Sequence, residues 1–241
     1  MTKISIIIAL QDCINSLNNV KACLESIQKQ TYKNLETIIV KKASSTEITE
    51  ICERYASVDN RFRLINQEYT TINEGRNIGL QYVTGDYVLF VNDNDFLLPT
   101  MIEKSIKIAK NTASDIVIFE WLNKTAKGIV ESPLPCKIRN FHQALLGDIL
   151  YNRQPAYIWN KLYSKKLWQS VKLNTLETAD DSDTIKAICK KASNIFYLPQ
   201  ALYVNSSLYL HPQVSTPKTN FLSSIKLATF LFISHVKLLI E

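Results

Sequence analysis

Glycine is scarce in this 241-residue chain, five residues in all, and no two of them stand as Gly-x-Gly. A Gly-rich dinucleotide-binding turn is thereby excluded, and the lack of any Gly-Lys-Ser/Thr excludes a P-loop. Histidine is scarcer: His142, His211 and His235 have neither metal-ligand spacing nor the local context of a Ser-His-Asp or Cys-His centre. The five cysteines (Cys13, Cys23, Cys52, Cys136, Cys189) are an odd number, far apart, with no C-x-x-C. A disulfide framework or zinc site is not expected, and a reducing, cytoplasmic compartment is the natural reading. Neither sign of charge dominates: 28 Lys and Arg against 22 Asp and Glu give +6. That suits an anionic ligand or a membrane surface, and without an aromatic-interleaved basic patch it argues against nucleic acid. Long apolar runs are missing too. Ile4–Leu10 is too short for a signal peptide, and the uncharged run from Leu227 to Ser234 is too short to span a bilayer.

What is present is an ordinary globular composition, 46% hydrophobic and 21% charged, in a chain long enough to fold around its own core. The first half alternates strand and helix. Ile4–Leu10 reads as a strand buried on both faces. Leu17, Val20, Leu24 and Ile27 mark one helix face. Glu36–Val40 reads as a second strand, and Ser44 to Glu47 as a capping box opening a helix. A strand over Phe62–Ile65, a helix over Asn73–Tyr82 and a strand over Tyr87–Val91 follow. Pro99 suits the first turn of a helix reaching Lys110, and Ile116–Phe119 is a fifth strand. This pattern predicts an α/β fold, a mostly parallel sheet covered by helices.

Past residue 120 the pattern loosens. Gly128–Pro135 reads as strand or loop, Phe141–Tyr151, Trp159–Leu167 and Asp180–Lys191 as helical pieces, and Ile195–Tyr197 and Ala201–Tyr209 as short strands. The apolar tail, 219–241, is expected to form a helix that packs on the domain or a partner, or lies in a membrane interface helped by its lysines.

Ligands on such sheets sit beyond the carboxyl ends of the strands. There, Asn92-Asp93-Asn94-Asp95 could hold a hard divalent cation, and it could equally be a turn of residues that favour turns. Asp180, Asp181 and Asp183 suit a helix N-terminus, or a general base that takes a proton from a hydroxyl. Lys41 and Lys42 follow the second strand and could meet phosphates, or be solvated loop lysines. Arg76 could pair with phosphate or with one of the acids.

The order of these segments resembles family-2 glycosyltransferases of the bacterial polysaccharide type, with the GT-A fold, over roughly residues 3–210. Ser5-Ile6-Ile7-Ile8 is similar to the family's first strand. Cys23-Leu24-Glu25-Ser26-Ile27, followed by Gln30-Thr31-Tyr32-Lys33-Asn34-Leu35-Glu36, is similar to its first helix and second strand. Gly75-Arg76-Asn77-Ile78-Gly79-Leu80 resembles A-R-N-x-G-L. Thr84-Gly85-Asp86-Tyr87 and the run into Phe96 resemble the region ending in D-x-D-D. Trp159-Asn160-Lys161-Leu162-Tyr163 and Leu198-Pro199, with Leu202-Tyr203, resemble later landmarks.

The resemblance implies an inverting, hexosyltransferase-type transfer from a nucleotide-sugar donor to a hydroxyl of a glycan or lipid-linked acceptor. It implies a nucleotide-sugar-binding half (1–120) and an acceptor-side region of the same domain (121–218). A carboxylate would act as base, and a divalent metal, Mn or Mg, would stabilise the leaving diphosphate. Donor contacts map to Gln11, Lys41, Lys42, Arg76, Asn92 and Asp93, metal contacts to Asp93, Asn94 and Asp95, and the base to Asp180 or Asp181. The departures fall on the same positions. The P-x-Y after strand one is Ala9-Leu10-Gln11, and Asp-Asp-Gly-Ser after strand two is Lys41-Lys42-Ala43-Ser44. The first and third positions of D-x-D-D are Asn92 and Asn94. In extended backbone, neighbours face opposite ways, so Asp93 and Asp95 would not replace them. Two expectations follow: a transferase with an altered donor site, or a non-catalytic relative serving as a binding or partner subunit.

Overall fold

The computed structural model describes residues 1–10, 17–42, 46–125, 128–132, 146–147, 149–150, 156–176 and 181–206. These belong to one compact unit, Met1–Leu208. Gln11, the Ser44 cap, Asp180, most of Phe141–Tyr151 and the 219–241 tail lie outside the described residues.

Four strands run parallel as the apolar runs predict: β1 (Ile4–Ala9), β2 (Leu35–Lys41), β3 (Phe62–Asn66) and β4 (Tyr87–Phe90). All six residues of β1 are buried, because helices cover both faces of a parallel sheet. Helix α1 (Leu17–Gln28) buries Val20, Cys23, Leu24 and Ile27, one stripe at helical spacing. Helices α2 (Thr46–Val58), α3 (Ile72–Gln81) and α4 (Met101–Asn111) complete the alternation. Beyond them come β5 (Phe96–Leu97), β6 (Ile116–Thr125), β7 (Gly128–Ser132), β8 (Lys161–Ser164), α5 (Ser182–Lys191) and β9 (Ile195–Asn205). Among the described residues the sheet order is β3-β2-β1-β4-β8-β6-β9-β5, with β7 on β6.

Helix α3 carries the arginine of the site, and two glycines let it reach the sheet. A Cβ at Gly79 would stand 2.5 Å from Ile7 Cγ2, and one at Gly75 would stand 2.9 Å from Ala9 Cβ. The helix opens on a capping box: the Thr71 side chain accepts from Glu74 N–H, and the Glu74 carboxylate accepts from Thr71 N–H. That Thr-x-x-Glu signature is legible in the sequence and fixes the helix start.

Several elements differ from the pattern reading. Trp159–Leu167 is not an α-helix. Lys161–Ser164 is β8, antiparallel to both β4 and β6 in the middle of the sheet, and a 3-10 turn over Lys165–Trp168 follows. A four-residue segment, Lys-Leu-Tyr-Ser, is too short to carry a period that distinguishes strand from helix. The two short strands expected near 195 and 201 are one strand, β9, which pairs parallel with β6. Its register shifts where Leu198 faces Phe119 and Ala201 faces Glu120. The intervening Pro199 and Gln200 form the irregularity, where a residue without an N–H does least damage to a ladder. Helix α4 starts at Met101 rather than at Pro99, whose carbonyl accepts from Thr31 N–H at 2.9 Å. The strand expected over Ile116–Phe119 is β6 and runs to Thr125.

The amino end of the sheet is tied by a polar knot. Glu36 accepts from Lys3 Nζ at 2.7 Å, Ser5 Oγ at 2.5 Å and Thr84 N–H at 2.7 Å. Burial opposes the Glu36 charge, but these hydrogen bonds outweigh it and hold the carboxyl at about 2. Gly85 closes over the knot: a Cβ there would meet Ser5 Oγ at 2.7 Å.

Candidate functional site

Parallel pairing brings the carboxyl ends of β1, β2 and β4 to one edge. The Tyr69 phenol binds the first two together: it donates to Leu10 O and lies 3.2 Å from Val40 O. Burial pushes its ionisation upward. Lys41, the last residue of β2, is buried, with Nζ 2.7 Å from Thr49 Oγ1 and 3.2 Å from Lys42 O. Its ammonium is therefore turned toward α2, neither onto the strand-end turn nor into solvent. Lys42 is half-buried beside it.

After β4 the chain does not stay extended. Asp95 N–H donates to Asn92 O at 3.1 Å, closing a turn with Asp93 and Asn94 at its corner. The extended backbone assumed for this run is absent, yet exposure still alternates along it: Asp93 and Asp95 are buried, whereas Asn92 and Asn94 are half-buried. Burial raises the ionisations of Cys23 and Tyr69, and the charge of nearby Asp93 adds to both.

Asn92 is the crossing point. Its Oδ1 accepts from Arg76 Nη2 at 2.9 Å, and its Nδ2 donates to Asp95 Oδ2 at 2.8 Å. Its backbone N–H donates to the Tyr203 hydroxyl at 3.2 Å, and its carbonyl accepts from Cys23 Sγ at 3.5 Å. Asp95 is fully buried and spends both oxygens internally. Oδ2 also accepts from Tyr203 OH at 2.7 Å, and Oδ1 accepts from Ser206 N–H at 2.7 Å. Burial pushes its carboxyl up to about 6 against the pull of those hydrogen bonds, and the neighbouring Asp93 charge adds to the rise.

Arg76 links this turn to the far half of the chain. Its Nη1 lies 2.9 Å from Asn73 Oδ1 and 3.4 Å from Asp181 Oδ1. Asp181, just before α5, also accepts from Ile158 N–H on Oδ2 at 3.3 Å. Behind it Lys161 is buried at the start of β8, with Nζ 2.6 Å from Asn160 Oδ1 and 2.5 Å from Tyr157 O. Burial brings the Lys161 ammonium down to about 8, opposed by the negative charge of Asp181.

The structure thus gathers Arg76, Asn92, Asp95 and Asp181 and leaves Lys41 apart. Two members of the network had no role assigned from sequence: Asn73, which holds Arg76, and Tyr203, whose ring stacks on Trp159 at 4.8 Å. Leu202-Tyr203 was visible as a landmark, but a contact across 108 positions leaves no local signal.

Asn92 and Asp95 do not fit as ligands of a divalent cation. Asn92 Oδ1 faces a guanidinium, and both Asp95 oxygens are engaged by protein donors. Among the described residues no group of three or more His, Cys, Asp or Glu side chains gathers to hold a metal ion. No helix among the described residues is long and apolar enough to cross a membrane.

Comparison with known proteins gives these features a family. Residues 5–176 match the model of Glycosyl transferase family 2. The chain is 25% identical over 222 residues to glycosyltransferase GlyA of Streptococcus pneumoniae, covering 83% of this chain and 30% of that protein. It is 28% identical over 206 residues to glycosyltransferase GlyG of the same species, covering 78% of this chain and 64% of that protein. The chain therefore spans less than two thirds of either relative. Among solved structures, residues 1–349 of S. aureus TarS align with TM-score 0.70 and 20% identity, over 85% of this chain and 60% of that one. TarS in complex with UDP-GlcNAc aligns with TM-score 0.68 and 18% identity, over 85% of this chain and 58% of that one. These likenesses establish the GT-A type of fold.

Proposed function

This chain belongs to glycosyl transferase family 2, and we propose that it moves a hexosyl unit, with inversion, from a nucleotide-sugar to a hydroxyl of a glycan or lipid-linked acceptor in bacterial surface polysaccharide synthesis. The observation that carries this reading is the position of Arg76. It joins the turn after the fourth parallel strand to the acid at the head of α5. Donor-side and acceptor-side segments are thereby held together at the carboxyl edge of the sheet, where ligands of such sheets sit.

The roles divide as follows. The donor diphosphate lies over the ends of β1, β2 and β4, among Gln11, Lys42, Arg76, Asn92 and Asp93. Asp180 takes the proton of the attacking hydroxyl, a role a carboxylate fills when it lies within hydrogen-bond reach. Asp181, with both oxygens already accepting, is a positioning residue that ties the head of α5 to Arg76 and Ile158. A donor of this class places the reaction in the cytoplasm or at the inner face of the membrane.

A second reading, a non-catalytic relative serving a partner subunit, is favoured by the amides at positions 92 and 94 and by the internal engagement of Asp95. Thermal melting with uridine, guanosine and cytidine diphosphates and their sugar derivatives separates the two readings, because a ligand of the folded state must raise its stability. The transferase reading expects one nucleotide to shift the melt and Asp180→Asn to abolish turnover while keeping that shift. No shift at millimolar ligand, with the fold intact, removes the donor site.

A further inference from the structure

The deepest departure of this site lies in what supplies its positive charge, and the inference rests on the donor-binding reading above. We propose that the turn after β4 has exchanged a divalent cation for a guanidinium–amide pair. Arg76 is the resident cation of the site, and a pyrophosphate-bearing ligand binds there without divalent metal.

The first support is how Arg76 is held. The side chain is 8% exposed. It is fixed by Asn73 and Asp181 through Nη1 and by Asn92 through Nη2. A charge held this firmly is part of the fold and needs no ion to be recruited. Lys41, another cation at the strand ends, is committed to Thr49.

The second support is the chemistry of Asn92. Its amide presents an acceptor to the guanidinium and a donor to Asp95, at 2.9 and 2.8 Å. Only a group with both a donor and an acceptor can stand between a cation and a carboxylate in this way. An aspartate there would place two carboxylate oxygens 2.8 Å apart beside a fully buried partner. Like charges so close cannot both persist without a proton or a further cation. Asn92 therefore removes a repulsion that a metal would otherwise help Arg76 to offset.

The third support is the immobility of Asp95. Tyr203 OH, Asn92 Nδ2 and Ser206 N–H occupy its two oxygens. To ligate a metal it would have to surrender bonds that hold β9 to the turn.

The experiment combines direct manganese titration with ligand melts. Wild-type protein is titrated with Mn²⁺ alone, followed by the electron paramagnetic resonance signal of the free ion. Melts are then run with uridine or guanosine diphosphate, each in EDTA and in Mn²⁺, and the Mn²⁺ titration is repeated on Asn92→Asp. The proposal expects no Mn²⁺ bound by the wild type. At nucleotide about a hundredfold above Kd it expects a melt shift of about 5–10 °C that is equal in EDTA and in Mn²⁺. It expects Mn²⁺ to bind and stabilise Asn92→Asp.

A nucleotide shift that appears only with Mn²⁺ overturns the proposal and leaves the donor reading standing. No shift with either nucleotide, but Mn²⁺ binding gained by Asn92→Asp alone, removes the donor reading and supports the exchange at the turn. Mn²⁺ binding by the wild type alone overturns the exchange whatever the nucleotides do, and that titration needs no variant to fold.

Discussion

The two ends of the same parallel sheet treat a carboxylate in opposite ways. At the amino end, Glu36 sits in a knot with Lys3, Ser5 and Thr84, and hydrogen bonds hold its carboxyl at about 2 despite burial. At the carboxyl end, Asp95 has hydrogen-bond donors on both oxygens but, among the described residues, no cation in direct contact, and burial raises its carboxyl to about 6. The first carboxylate is kept charged and stabilises the fold. The second is held in a form costly to ionise, inside the network that joins Arg76, Asn92 and Tyr203. Perturbation of this second kind, in a strand-end cluster, is what functional sites impose on their residues.

The comparison can be broken most sharply at the proposed base. Asp180→Asn should lower turnover about 10²–10⁴-fold, the range general base catalysis contributes. Its melting temperature should stay unchanged, and steady-state transfer with a nucleotide-sugar that stabilises the protein reads both. At the buried acid, Asp95→Ala leaves the Tyr203 hydroxyl, the Asn92 amide and Ser206 N–H without their acceptor. That should cost about 3 kcal/mol in urea unfolding.

The contrast in pH response is the next test. Glu36 has a depressed carboxyl in the folded state. Its contribution is present above pH 4.5 and is lost as pH falls from there toward 2. Asp95 has a raised carboxyl, so its favourable contribution is present below its unfolded value near 3.8 and is lost as pH rises through about 6. Unfolding curves across pH 3–7 should therefore flatten between 4 and 6 in Asp95→Asn, and that variant should leave the acid limb of Glu36 in place. Glu36→Gln should cost about 1–2 kcal/mol at pH 7 after allowance for its partial exposure, with the difference vanishing in acid. The smallest effect belongs to Tyr203→Phe. It keeps the stack on Trp159 and removes one hydroxyl bridge, so it should cost about 1 kcal/mol.

Much of the fold was legible because local signals agreed with the tertiary arrangement. The apolar runs of β1 and β2, the helical stripe at Val20, Leu24 and Ile27, and the alternation of elements all point to one parallel sheet. Where they failed, a long-range partner decided. Lys161–Ser164 is a strand because β4 and β6 lie on either side of it. The site was half legible. Arg76, Asn92, Asp95 and Asp181 were all singled out from motif and position. That Arg76 reaches Asp181, 105 positions away, could not be read from either segment alone. The direction of Lys41 was equally hidden, since Thr49 captures it from the next helix. The extended backbone assumed for residues 92–95 is instead a turn closed by a single backbone hydrogen bond, although exposure still alternates along it.

The measurement that bears most directly on the two-ended account is amide hydrogen exchange with and without uridine diphosphate. The account predicts slower exchange in 72–80, 92–95 and 181–185 on addition of the nucleotide. It predicts no change at residues 3–5, 36 and 84–86. Slower exchange at the Glu36 knot, with the Arg76–Asn92 segments unaltered, would contradict it.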